Sequence, residues 1–246
     1  MKAAVYSGTR NLYPDMVTAA KTLVKHSSVD KIYFLTEDDK FPEKLPDIIE
    51  NINVSGQQFF PPRCANIKTS FSYMSLLRVC YTKILPESLD RVLQLDVDTI
   101  VADDIDELWD VDLAGKWFAA VLEDKSSYKP FGPAYYNIGV AMFNLAQIRE
   151  DFADDLMIYT LNTCKMPYID QDAWNMHWLK AVQIPGRFNE SFVTHTSDNP
   201  AIVHYAGIKN WQNKPGMARA EYLEEARRLA WEDVLHGKNT HRRTDL

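Results

Sequence analysis

The apolar run Val92-Leu93-Gln94-Leu95 stops at Asp96-Val97-Asp98 and resumes as Thr99-Ile100-Val101. A continuous run of this kind reads as a strand buried on both faces, which requires a sheet with helices packed on either side. Residues i and i+2 of a strand point to the same side, so the two carboxylates are expected to face one spot. In open α/β sheets, ligands bind at the C-terminal ends of the strands. Two carboxylates placed there can hold a hard divalent cation, and the cation can hold a diphosphate.

By itself the triplet is weak evidence. The chain has 22 aspartates among 246 residues, and Asp-x-Asp occurs at Asp96/Asp98, Asp104/Asp106, Asp110/Asp112 and Asp170/Asp172. Only the first is framed by strand-like runs. The second and third read as solvated acidic turns.

The rest of the chain alternates two periods. Strand signals fall at 3–6, 31–35, 92–95, 117–122, 138–143 and 201–205, with a weaker one at 52–54. Helical stripes fall between them. Pro14 opens one that carries Met16, Val17, Ala20, Leu23 and Val24, and a second spans 72–85, ended by Pro86. Further helices are expected at 145–163, 171–180 and 218–235, followed by a polar tail. This alternation specifies one α/β domain, at 1–215, with the last helix and tail at 216–246.

Composition sets limits on function. A formal charge of −7 argues against a nucleic-acid groove, which needs clustered Lys and Arg. Cys64, Cys80 and Cys164 lack zinc spacing and read as free thiols in a reducing compartment. The N-terminal residues do not follow a signal-peptide pattern, and no apolar run is long enough to span a membrane. A soluble, cytoplasmic protein is the expectation.

Other residues join the aspartates. His204 closes the last strand and heads His204-x-x-Gly207-x-Lys209-x-Trp211. An imidazole, a glycine that permits close backbone approach and a lysine make a coherent phosphate-binding group, although a lone strand-end histidine is usually structural. Imidazole beside two carboxylates suits Mn²⁺ better than Mg²⁺. Asp170-Gln171-Asp172 stands at a helix start, where capping accounts for one Asp but not for the triplet. The chain has no P-loop, no G-x-G-x-x-G after the first strand and no G-x-S-x-G elbow.

In order along the chain, Thr9-Arg10-Asn11-Leu12-Tyr13, Arg78, Leu93-Gln94-Leu95-Asp96-Val97-Asp98, Asn137-Ile138-Gly139, Asp170-Gln171-Asp172 and His204-Tyr205-Ala206-Gly207 resemble glycosyltransferase family 8. That family includes glycogenin and bacterial galactosyl- and glucosyltransferases that build lipopolysaccharide. The resemblance runs from Ala4 to about Trp211. It implies a single GT-A type nucleotide-sugar-binding domain with a mostly parallel central sheet flanked by helices. It also implies a UDP-sugar donor, Mn²⁺ with Mg²⁺ as the alternative, and retention of anomeric configuration.

By matching position, Asp96, Asp98 and His204 would ligate the metal, with Val97 between them against the donor. Tyr6, Ser7, Gly8, Thr9, Asn11 and Tyr13 would line the uridine, Tyr13 stacking on uracil. Arg78, Asn137 and Gly139 would border the donor sugar, with Glu123 the acid near it. Gly207 and Lys209 would serve the diphosphate. Asp170 and Gln171 would lie by the anomeric carbon and, with Arg78, form the catalytic set. The acceptor would be a glycan, a lipid-linked sugar or a protein.

The chain departs from the family's H-x-x-G-x-x-K-P-W, being one residue shorter and carrying Asn210 in place of proline. Two other readings compete with a transferase. A sugar nucleotidyltransferase or pyrophosphorylase would carry a glycine-rich basic loop after the first strand, where Ser7-Gly8-Thr9-Arg10 has one glycine. A catalytically silent UDP-sugar-binding module would have no need to keep three metal ligands.

Overall fold

The computed structural model describes residues 1–41, 44–124, 126–191, 194 and 199–206. Gly207, Lys209, Trp211 and the expected helix at 218–235 lie outside the described residues.

The chain opens as a β-α-β unit: β1 (Ala3–Ser7), α1 (Tyr13–His26) and β2 (Lys31–Thr36). Pro14 stands in the first turn of α1, Asp15 beside it, and Lys25 and His26 in the last turn, the charge order that a helix dipole favours. β3 (Ile49–Asn53) then pairs with β2, three residues earlier than the 52–54 signal suggested. α2 (Tyr73–Leu76) and α3 (Tyr81–Ile84) are joined by a 3-10 turn at Leu77–Cys80, where a single helix was expected over 72–85. The apolar period reports which face is buried. It does not distinguish i→i+4 from i→i+3 hydrogen bonding, so the tight turn was invisible to it.

Next come β4 (Arg91–Leu95), β5 (Thr99–Val101), β6 (Phe118–Leu122) and β7 (Tyr136–Asn144). The 145–163 helix is two helices, α4 (Leu145–Glu150) and α5 (Ala153–Thr163), broken at Phe152, whose φ is +52°. Asp151 at the break accepts from Trp117 Nε1 at 2.6 Å and pairs with Lys180 at 2.9 Å, anchoring it to β6 and β8. α6 (Ile169–Asn175) is shorter than the expected 171–180 helix, whose last residues form a 3-10 turn at Trp178–Lys180, and β8 (Ala181–Gln183) follows as a three-residue edge strand too short to leave a period. β9 (Ile202–His204) closes the described chain.

Seven strands form one sheet in the order β3-β2-β1-β4-β7-β6-β8, parallel except for β7, which runs against both its neighbours. Alternate residues of β1 feed two cores. Ala3 and Val5 pack toward α2–α6, and Ala4 and Tyr6 toward α1. β5 and β9 form a separate antiparallel pair beyond the end of β4. The chain leaves β1 toward β2 on one side and returns as β4 on the other, so the crevice at their C-terminal ends is a topological switch point.

Candidate active site

β4 ends at Leu95, and Asp96–Asp98 is a turn rather than three more residues of strand. The Thr99 N–H donates to the Asp96 carbonyl at 3.1 Å, and the Thr99 hydroxyl donates to the same oxygen at 2.7 Å. The expectation that strand alternation aims both carboxylates is thus corrected: a closed turn brings them together. β9 completes the group, because its antiparallel register sets His204 opposite Thr99, and the Tyr205 N–H donates to the Asp98 carbonyl. His204 Nε2 lies 3.3 Å from Asp98 Oδ1 and 3.5 Å from Asp96 Oδ2. One ligand atom from each of Asp96, Asp98 and His204 falls within 4.8 Å of the others, the single such cluster among the described residues.

Charge at this cluster is tightly balanced. Burial opposes ionisation of His204, but Asp98 and Asp96 outweigh it and raise its pKa to about 10. Burial likewise works against the Asp98 carboxylate, and His204 overrides it, holding Asp98 below its usual range. Arg78, on the 3-10 turn between α2 and α3, pairs with Asp96 and with Asp170, the latter at 3.3 Å. Gln94 donates to Asp96 Oδ1 at 2.9 Å and is itself held by the Tyr81 hydroxyl. Arg78 and Gln94 therefore occupy one oxygen of Asp96 and leave the other facing His204.

Gly139 forms the floor beneath the imidazole. A Cβ built there would sit 2.1 Å from His204 Cε1, so the ring fills the space a side chain would need. The register between β6 and β7 slips between Ala120 and Val121, leaving Ile138 and Gly139 without ladder partners on β6. Side chains take their place: Ile138 N–H donates to Gln171 Oε1 at 3.1 Å, and Gly139 N–H to Asn137 Oδ1 at 3.0 Å. Gln171 Nε2 donates to Glu123 Oε1 at 3.0 Å, and Asn137 Nδ2 to the same oxygen at 2.7 Å. Burial raises the pKa of Glu123 against these two hydrogen bonds.

Asp170 is buried in the first turn of α6, and desolvation raises its pKa to about 7 although Arg78 pulls it down. The Asp170/Asp172 triplet divides its work. Asp172 reaches back to accept from the Tyr168 N–H at 2.8 Å and from the Tyr135 and Tyr128 hydroxyls at 2.6 and 3.2 Å, so the capping account holds for it. Asp170 faces Arg78 instead.

The loop after β1 is tied to the loop after β2. The Gly8 N–H donates to the Leu35 carbonyl, and Arg10 pairs with Asp38. Ser7 and Thr9 are half-buried and Asn11 is exposed, with the Thr9 hydroxyl donating to Asn11 Oδ1 at 2.7 Å. Tyr6 is fully buried, edge-on to Phe34. Tyr13 is 1% exposed, its ring stacked on Phe41 at 4.6 Å and its hydroxyl accepting from the Glu37 and Asp38 amides. The expected stacking of uracil on Tyr13 thus meets a ring that is already covered, because a neighbouring aromatic satisfies its apolar face first. Val97 is half-buried against the α1-side core.

Three participants escaped the sequence reading: Asn189, Gln94 and Tyr81. Asn189, fully buried, joins Asn137 Oδ1 and His204 Nδ1, each at 2.9 Å. Gln94 had a visible signal, as the one polar residue in a run that reads as buried on both faces. Asn189 had none.

Two solved structures that share this architecture are glycosyltransferases of GT-A type. The structure of the galactosyltransferase LgtC in complex with donor and acceptor sugar analogues superposes with a TM-score of 0.69, at 24% identity over 96% of this chain and 99% of that one. The apo form of the glycosyltransferase GlyE of Streptococcus pneumoniae TIGR4 gives 0.67, at 22% identity over 96% of this chain and 62% of that one. At these identities the likeness establishes the fold. The sequence itself establishes the family: the model for glycosyl transferase family 8 matches residues 4–214, and the chain belongs to that family. Among curated relatives, glycosyltransferase GlyA of Streptococcus pneumoniae serotype 4 is 26% identical over 98% of this chain and 36% of its own length. Glycosyltransferase GlyB of the same organism is 24% identical over 97% of this chain and 64% of its own length. This chain therefore spans less than two thirds of these relatives.

Proposed function

We propose that the protein transfers a hexose, glucose or galactose, from a UDP-sugar to a hydroxyl of a glycan, lipid-linked sugar or protein, with retention of configuration. The observation that carries this reading is the convergence of Asp96, Asp98 and His204 at the switch-point crevice. Two carboxylate oxygens and an imidazole nitrogen within 4.8 Å of one another fit Mn²⁺, with Mg²⁺ the alternative. When bound there, the ion would offset the negative charge that develops on the leaving diphosphate.

The chain's own residues supply the rest of the chemistry. Ser7, Gly8, Thr9 and Asn11 would meet the uridine, with Tyr6 and Tyr13 supporting that loop from below, and Gly207 and Lys209 would serve the diphosphate. Arg78 pairs with both Asp96 and Asp170, and so would hold Asp96 at the metal and Asp170 beside the donor sugar. The Gln171 amide is held at both ends, by Ile138 N–H and Glu123, so its carbonyl oxygen is fixed in place. An amide is a poor nucleophile and Asp172 already accepts three hydrogen bonds, which favours front-side attack over a covalent intermediate. In that route the bond from the anomeric carbon to the diphosphate oxygen breaks as the acceptor oxygen bonds on the same face. The acceptor proton passes to the departing phosphate. Asp170 and Gln171 stabilise the oxocarbenium-like sugar, by analogy with glycosidases.

The test is UDP release with Mn²⁺ across a panel of UDP-sugars, run beside Asp96→Ala and Asp98→Ala. Metal-dependent release from one sugar, lost in both variants, is the expected outcome. Absence of UDP binding would overturn the reading, and a sugar trapped covalently on Asp170 or Asp172 would overturn the front-side route.

A further inference from the structure

We infer that Asn189 is a positioning residue of the metal site: its side-chain amide holds a proton on His204 Nδ1, so that Nε2, the nitrogen facing Asp96 and Asp98, is the one that would exchange its proton for a metal ion. This rests on the reading of those three residues as metal ligands. The inference starts from an atom whose role admits no choice. A backbone N–H can only donate, and that of Gly139 points at Asn137 Oδ1 from 3.0 Å, so this atom is the carbonyl oxygen of Asn137. The other end of the same amide agrees, because Nδ2 lies 2.7 Å from a carboxylate oxygen of Glu123 and donates to it.

Asn189 approaches Asn137 Oδ1 at 2.9 Å, and an oxygen accepts, so Asn189 presents its NH₂ there. Its Oδ1 then faces His204 Nδ1 at 2.9 Å. A carbonyl oxygen has no proton to give, so Nδ1 carries one. In the neutral ring the lone pair is then on Nε2, the atom 3.3 Å from Asp98 and 3.5 Å from Asp96.

The alternative orientation is excluded by the same accounting. Flipping the Asn189 amide would suit the opposite tautomer at His204 but would set oxygen against oxygen at Asn137. Asn189 is 0% exposed, His204 4% and Asn137 5%, so solvent cannot make good the loss. Asn189 is itself fixed by its main chain, its N–H donating to the Gly186 carbonyl at 3.1 Å and its carbonyl accepting from the Thr194 hydroxyl. The orientation of a metal-ligating nitrogen thus traces back, through two amides, to one backbone N–H in the β7 bulge.

Mn²⁺ affinity measured by isothermal titration calorimetry on wild type, Asn189→Leu and Asn189→Asp tests this, with thermal melts of the metal-free proteins alongside. Asn189→Leu removes the acceptor and is expected to weaken binding about 10–100-fold, the usual effect of losing a histidine's outer hydrogen bond. Asn189→Asp still accepts from Nδ1–H, although it sets a second oxygen against Asn137 Oδ1, and is expected to bind Mn²⁺ more tightly than Asn189→Leu, which a merely space-filling role would not predict. Equal affinity in wild type and Asn189→Leu overturns the inference alone, whereas no metal binding by wild type overturns it together with the metal reading. If the variants do not fold, ¹⁵N NMR of the wild-type histidine side chains with diamagnetic Zn²⁺ decides, the His204 signals being assigned by their loss in His204→Ala. Nδ1 protonated and Nε2 metal-bound is the expected pattern; metal on Nδ1 overturns it.

Discussion

Around His204 the molecule has no spare volume, and a single methyl group is enough to show it. With a Cβ at Gly139 only 2.1 Å from the imidazole, Gly139→Ala must displace the ring or the strand beneath it. We expect Mn²⁺ affinity to fall by about tenfold or more, and overpacking to cost about 1–3 kcal/mol in urea denaturation. Unchanged affinity would mean that the ring does not ligate. At Asp170 the question is charge. Its pKa is raised from 3.8 to about 7, so it is protonated below neutrality in the folded protein and ionised in the unfolded chain. An acid with a raised folded pKa contributes stability that is present below pH 3.8 and is lost as pH rises through about 7. Asp170→Asn should therefore match wild type at the acid end and be the more stable of the two above pH 7. In the proposed chemistry the anion is the useful form, so kcat should rise through an apparent pKa near 7, and this limb should be absent from Asp170→Asn. A pH profile and paired melting curves check both signs. At this scale the sequence offered Asp96, Asp98 and His204 through their types and neighbours. It could not offer Asn189, because an asparagine after a short turn looks the same whether or not a histidine lies beside it.

Secondary-structure elements explain which parts of the site could be read in advance. β1, β2, β4, β6 and β7 are runs buried on both faces, and burial leaves a signal within a window of a few residues. The irregularities leave none, and the site is assembled from them: the turn after β4, the 3-10 turn carrying Arg78 and the β7 bulge. Ile169, a β-branched residue at φ +36°, stands directly before Asp170. Backbone of this kind costs about 1–3 kcal/mol and persists where packing over-determines it, as for this residue with 1% exposure. Phe152 is the counter-example away from the site, at φ +52° with 69% of its surface exposed. Little packing holds its ring, so Phe152→Asn should relieve about 1 kcal/mol of left-handed strain. A higher urea midpoint at unchanged m-value would confirm this, and an unchanged or lower midpoint would show that the ring contributes more than its exposure suggests.

On the scale of the whole molecule, the site stands where two sheets meet. The seven-stranded sheet supplies Gly139, the turn after β4 supplies Asp96 and Asp98, and the β5–β9 pair supplies His204. A metal binding across that seam should favour the folded state by mass action, by about 2.7 kcal/mol at a hundredfold excess over Kd. Mn²⁺ should therefore raise the melting temperature of wild type and leave Asp98→Ala unmoved, and equal shifts in both would place the ion elsewhere. Among the described residues no helix is long and apolar enough to cross a membrane. The alternation of elements, the layered architecture and the carboxylate and imidazole chemistry of the candidate site were determined by the sequence alone, because periodicity, burial and residue type are local to each segment. Only the tertiary structure decided that a turn converges the two aspartates, that β9 pairs with β5 in the register that delivers His204, and that Phe41 covers Tyr13. Each of these depends on pairing between segments distant along the chain. A strand's own pattern states which face is buried, not which partner buries it or in what register.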